Sequence, residues 1–136
     1  MNIGKYIFSV LSADAAVSAL VGNRIHPVFV PQGATFPCVA YMAKNEPFDQ
    51  TKDHPGYHDR AVVTLHLWAE YDERQAAYSI LEDLDEAIRN ALDFVDGTAG
   101  GVQVESCRYD GTIDGRDEGN MMYLKTATYI FITKNT

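Results

Sequence analysis

The sequence predicts an α+β domain: a largely antiparallel β-sheet with one long helix and two short N-terminal helices packed on one face. Three observations predict it. First, Ala61–Glu70 alternates with period two. Ala61, Val63, Leu65, Leu67 and Ala69 fall on one side, and Val62, Thr64, His66, Trp68 and Glu70 on the other. Second, Ala77, Ile80, Leu81, Leu84, Ile88, Ala91 and Leu92 recur at three- and four-residue steps, which is the stripe of one long helix. Third, the chain closes on two strand-like runs, Val102–Tyr109 and Met121–Thr133, joined as a hairpin. A length of 136 residues fits a single domain spanning 1–136. A chain of that size buries roughly 68% of its extended surface, enough for a core without staples.

Taken in order, Asn2–Leu11 is a short helix with Ile3, Tyr6, Ile7, Val10 and Leu11 on one face. Ser12 stands as the N-cap of a second helix, Ala13–Leu20, with Asp14 in its first turn, and Gly22 supplies a left-handed end. Ile25–Val30 is extended, and Pro27 makes it an edge or irregular segment. Pro31–Pro37 is a loop and Cys38–Ala43 a compact strand. Lys44–Asp59 is polar and broken by Pro47, Pro55 and Gly56, so it is expected to be a long functional or mobile loop. After the central strand, Asp72 begins the long helix, with Gln75 completing a capping-box spacing. Thr98–Gly101 is a turn, and Asp110–Asn120 an acidic, glycine-rich connection.

Composition narrows the function. No run approaches the ~18 apolar residues of a membrane span, and the Tyr6–Leu11 patch is too short for a signal peptide. A cytosolic chain, or one released by lysis, is the expectation. With a formal charge of −8 and eleven scattered basic residues, binding by phosphate neutralisation is disfavoured. Acidity does suit a wall that DNA slides past.

Catalytic and metal signatures are weak. Asp110, Asp114 and Gly115 match three positions of a calcium loop, but Thr112 and Met121 stand where ligands are needed, so a solvated hairpin loop is the better reading. His54 and His58 are separated by Pro55-Gly56, which precludes the helix that would align them as ligands. Glu82, Asp83, Asp85 and Glu86 lie on the polar side of the long helix, with Arg89 near the last two, as a solvated face. No nucleophile elbow, P-loop or dinucleotide fingerprint occurs. Cys38 and Cys107 have no ligand spacing and fit buried thiols; a thiol hydrolase using either rests on residue identity alone. The expectation is no enzyme, no cofactor and no metal.

The last strand is apolar on both faces: Met122, Leu124, Thr126, Thr128, Ile130 and Ile132 on one, Met121, Tyr123, Lys125, Ala127, Tyr129 and Phe131 on the other. Three helices cover one side of a sheet, so the second side meets another polypeptide or is roofed by the 44–59 loop. The expected subunit-interface residues are His66, Trp68, Tyr123, Tyr129 and Phe131, of types enriched at interface cores. From the residues alone, a small cytosolic protein-binding or regulatory domain also fits.

The segment Leu20–Tyr41, LVGNRIHPVFVPQGATFPCVAY, resembles the tail-completion (tail-terminator, or tail-to-head joining) proteins of long-tailed bacteriophages and prophages. The matching features are the helix pair, VGNRI with the Pro27 turn, PQGA at 31–34 and the FPCVAY strand. The remainder is similar in layout, with W-A-E at 68–70 and Asp72 before the helix. The resemblance implies a structural virion protein, assembled in the host cytoplasm. Such proteins form a homo-oligomeric ring, commonly a hexamer, that caps the tail tube, ends its polymerisation and joins the head connector. DNA passes through without specific binding, and no membrane is involved. On that reading Phe48, Asp49, Lys52 and Tyr57 belong to an axial contact loop, and Asp110, Asp114, Asp117 and Glu118 line the channel.

Overall fold

A computed structural model describes residues 3–49, 51–53, 56–74 and 76–134. The order is α1 (Ile3–Ala13), α2 (Ala15–Val21), β1 (Ile25–Pro27), β2 (Cys38–Pro47), β3 (His58–Glu70), α3 (Ala76–Leu92), β4 (Gly97–Ala99), β5 (Val102–Asp117) and β6 (Met122–Lys134). The six strands form one sheet in the order β1-β2-β3-β6-β5-β4. It is a mixed sheet, which corrects the largely antiparallel one expected. β1 enters parallel to β2, while β2–β3, β3–β6, β6–β5 and β5–β4 pair antiparallel.

α1 and α2 meet at a bend of 87°. The bend is capped by Asp14, not Ser12: Asp14 Oδ1 accepts from the Val17 N–H at 3.0 Å. Ser12 lies in the last turn of α1, where its hydroxyl donates to the Phe8 carbonyl at 2.6 Å. Asp14 has extended backbone, as an N-cap requires, and a carboxylate opposes the helix dipole better than a hydroxyl does. α3 begins at Ala76, later than expected. Asp72 Oδ1 reaches the Ala77 N–H only at 3.5 Å across an intervening turn. Gln75 lies outside the described residues, as does His54.

Two expected connections are largely strand. β2 runs on to Pro47 and β3 starts at His58, with Pro47 paired to Asp59, so the 44–59 loop shrinks to a hairpin loop. Alternating polarity had no apolar face to advertise there because both strands project past the core. Likewise β5 continues to Asp117 and pairs with β6 down to Met122. A register shift between Tyr109 and Thr112, with Gly111 at φ 111°, absorbs the irregularity that made Asp110–Asn120 look like a loop.

The core lies between the helices and one face of the sheet. Ala61, Val63, Leu65 and Leu67 of β3 meet Ile3, Tyr6, Ile7 and Leu11 of α1 and Leu81, Leu84, Ile88 and Leu92 of α3. Gly100, in the β4–β5 turn, lets α1 approach: at its φ of +58°, a Cβ would stand 2.5 Å from the Lys5 carbonyl oxygen. Among the described residues, no single helix is long and apolar enough to cross a membrane.

Candidate functional site: an open sheet face with a cleft

Register decides which residues face the core. Directly opposed residues of an antiparallel pair point to the same side. Tyr129 pairs with Val63 and Phe131 with Ala61, so both aromatics are committed to the face that carries α1 and α3. Both are completely buried, and Tyr6 packs on the Phe131 ring at 5.9 Å. Their expected role at a subunit interface is therefore corrected, because they have no surface left to offer another chain. Tyr123 lies on the same side, at the rim of the core between Tyr71 and Tyr78, and is half-buried.

His66 and Trp68 face the opposite way. With Val62, Thr64, Leu124, Thr126, Thr128, Ile130 and Ile132 they form a surface of half-buried side chains that, among the described residues, no helix covers. His66 Nδ1 and Thr126 Oγ1 lie 3.2 Å apart, which ties the two central strands on this side. Residues 28–36 fold over one end of the face, where Cys38 and Ala40 become buried. Between that loop and the β5–β6 turn is a cleft of about 720 Å³. Trp68, His66, Met42 and Met122 line it, with Val28 and Phe29 on one side and Met121 on the other. Phe29 is 79% exposed. It follows a γ-turn of the rarer hand, in which the Phe29 N–H donates to the Pro27 carbonyl at 2.7 Å and Val28 sits at φ 63°.

Val28, Phe29 and Met42 were not singled out from sequence. For Val28 and Phe29 the prolines at 27 and 31 carry the signal that could have found them, since they keep this apolar run out of the sheet interior.

The expected axial-loop residues are gathered at the far end of β3, about 33 Å from Trp68 at the rise of a strand. Asp49 organises them. Its Oδ1 accepts from the Tyr57 and His58 N–H groups at 2.9 Å each, and its Oδ2 lies 2.8 Å from His58 Nδ1. The hydrogen bond from the His58 side chain, helped by the backbone donors, holds the Asp49 carboxyl below the usual carboxylate range. Phe48 and Tyr57 flank this clamp at 57% and 61% exposure, and Lys52 is exposed at the tip.

The four expected channel residues are spread along β5 and the turn after it. Asp110 is on β5 at the bulge, and Asp117 and Glu118 are at the β5–β6 turn. Asp117 accepts from Asn120, and Glu118 pairs with Arg116 at 2.6 Å. Asp114 is on the helix side of the sheet, bonded to Lys125 Nζ at 2.6 Å and to the Tyr78 hydroxyl at 2.7 Å. Lys125 is 7% exposed and lies 4.7 Å from the Tyr78 ring centroid. Asp114 is thus committed within the fold.

Both cysteines are buried. Burial pushes the Cys38 thiol up to about 11 and the Cys107 thiol up to about 12, the wrong direction for a nucleophile at neutral pH. Among the described residues no group of three or more His, Cys, Asp or Glu side chains is placed to hold a metal ion.

The structure is thus a mixed sheet packed by helices on one face and carrying on the other an apolar cleft partly roofed by residues 28–36. The family described as tail completion protein gp17 matches residues 5–134, and the chain belongs to it: a structural protein of the phage tail. The fold is similar to that of a chain in the virion of a native gene transfer agent particle, with a TM-score of 0.72 at 16% identity over 95% of this chain and 92% of that one. At that identity the likeness is one of fold. No curated protein matches the sequence.

Proposed function

We propose that this protein closes the end of a phage tail tube as a homo-oligomeric ring, a hexamer by analogy with its family, ending tube polymerisation and joining the tail to the head connector. The observation that supports it is the half-buried sheet face running from Trp68 and His66 to Val62, Ile130 and Ile132, which the 28–36 loop roofs at one end only. A two-sided apolar sheet with helices on one side leaves surface that a neighbouring chain of the assembly must cover. Tyr123, at the rim of the core, contributes from the edge. No catalytic step or cofactor enters this reading.

The test is negative-stain microscopy of purified tail tubes with and without the protein. Rings at one end of each tube, and tubes that stop lengthening, are expected. Bare ends and continued growth would sink the proposal, as would a protein that binds along the tube wall. In the same assay, deleting 51–53 from the hairpin loop that carries Phe48, Asp49, Lys52 and Tyr57 should leave rings intact but detached from tubes. Loss of the rings would reassign that loop to contact between copies.

For the channel, Asp110 and Glu118 are the acidic residues to neutralise, with Asp114 left alone because it holds Lys125. Asp110→Asn with Glu118→Gln should increase retention of DNA by assembled rings at low salt. Unchanged retention removes these two residues from the lining.

A further inference from the structure

At the cleft, side chains from three strands stand in rows. Glu70 on β3, Met122 on β6 and Asp117 on β5 are successive cross-strand partners. Two residues further in, on the same side, the row is Trp68, Leu124 and Gly115. The first row therefore reads carboxylate, thioether, carboxylate. The second is an indole and a half-buried leucine side chain beside a glycine, where a Cβ would lie in ordinary contact with Leu124 Cδ2 at 3.4 Å. The two rows are separated by roughly 7 Å, twice the rise per residue of a strand.

The walls are held in costly conformations. Val28 on one wall and Met121 on the other are two of the three non-glycine residues with positive φ among those described, at 63° and 53°. For a branched side chain such as Val28 this backbone is a genuine outlier. Strain of this kind persists where surrounding structure enforces it, and it collects at clamps for other molecules. Here it turns two apolar side chains outward on both sides of one cleft.

Charge selects among possible occupants. The charged residues lining the cleft are Glu70 and Asp117, and no lysine or arginine lines it among the described residues. Hydrogen bonds from Asn120, first from its side chain, hold the Asp117 carboxyl below the usual carboxylate range, so it is ionised at neutral pH. The local charge of the cleft therefore favours a basic group on its occupant. We propose that the cleft receives a segment of a different virion protein, one that lays a large apolar side chain on Trp68 and Met42 and places a lysine or arginine about two residues away against Glu70 and Asp117. The docking site is part of the assembly surface described above and depends on that reading for its partner.

Trp68 is the chain's single tryptophan, so its emission reports on the cleft without mutation. The full chain is titrated with a synthetic Ser-Leu-Phe-Ser-Lys-Ser amide, its Lys→Glu counterpart, and a version with Ser-Ser in place of Leu-Phe. The lysine peptide should shift the emission to the blue and bind about fivefold more tightly than the glutamate peptide at low salt, with the gap closing at high salt. The Ser-Ser version should not shift it. Glu70→Lys should abolish the preference, and Glu70→Lys combined with Asp117→Asn should reverse it, a result that a merely loosened fold cannot produce.

Equal binding of the charged pair, no shift with any peptide, or an unchanged preference in Glu70→Lys overturns the docking site. So does a shift that follows protein concentration without peptide, because a second copy is then the occupant. Rings on tube ends alongside a Trp68 that ignores every peptide would defeat the docking site and leave the capping role standing. Absence of rings with the wild-type chain defeats the capping role whatever the peptides do.

Discussion

Phe131→Ala should lower folding stability by about 3–5 kcal/mol, the range for truncating an aromatic ring in a packed core. Phe131 is completely buried, opposite Ala61 and against Tyr6, so the void left behind is lined by α1 and β3 and has little means of collapsing. Trp68→Ala removes a larger side chain from a half-buried position on the other face. It should cost at most about half as much, because water or a neighbouring loop can take the vacated space. The two variants separate cleanly in function. Trp68→Ala should stay folded and fail to engage tube ends, whereas Phe131→Ala should lose association only in proportion to its unfolded fraction. Urea denaturation of both variants, read beside the tube-end assay, checks this. Equal stability losses would show that the outer face is packed as tightly as the inner one, contrary to the burial pattern.

Asp114→Asn should destabilise the protein by about 1–3 kcal/mol. Removing one partner of a fully buried ion pair typically costs 3–5 kcal/mol, since the other charge is stranded. Here Lys125 is the buried partner while Asp114 is 54% exposed, so solvent screening reduces the effect. The converse change, Lys125→Met, removes the ammonium from the Tyr78 ring but strands only a carboxylate that water can reach, so it should cost less.

pH gives a second check. The hydrogen bond from Lys125, followed by that from Tyr78, holds the Asp114 carboxyl below its ordinary value of 3.8. A lowered folded-state value means stabilisation that is complete above the unfolded value and lost as pH falls through the folded one. The gap between wild type and Asp114→Asn, measured by urea unfolding at pH 7 and near pH 3, should therefore narrow in acid. A gap that widens in acid would mean that Asp114 is not paired with Lys125 in solution. The Lys125 ammonium is shifted upward: burial opposes it, but the bonds to Asp114 and Tyr78 outweigh burial, so the cation persists throughout this range.

Much of the fold is legible along the chain. The alternation in Ala61–Glu70 and the stripe from Ala77 to Leu92 each report a periodicity that local geometry imposes; β3 realises the first, and α3 buries Leu81, Leu84, Ile88 and Leu92 of the second while leaving Ile80 exposed. The resemblance of Leu20–Tyr41 to tail-completion proteins points to the family that matches residues 5–134. Element ends are less legible. β2 beyond Ala43 and β5 beyond Tyr109 are strands because neighbouring strands supply hydrogen bonds, and their own side chains advertise no buried face.

The amino-acid sequence by itself determined where apolar periodicity lies, that the last strand is apolar on two sides, and how acidic the surface is. Which of those two sides becomes the core was decided by tertiary structure alone. A strand's side chains divide into two sets by geometry, but the assignment of each set follows from the register with β3. Pairing Tyr129 with Val63 and Phe131 with Ala61 draws the aromatics inward and turns Ile130, Leu124 and their neighbours outward beside Trp68. The cleft has the same origin. Glu70, Met122 and Asp117 are far apart along the chain, and only cross-strand pairing sets them in one row.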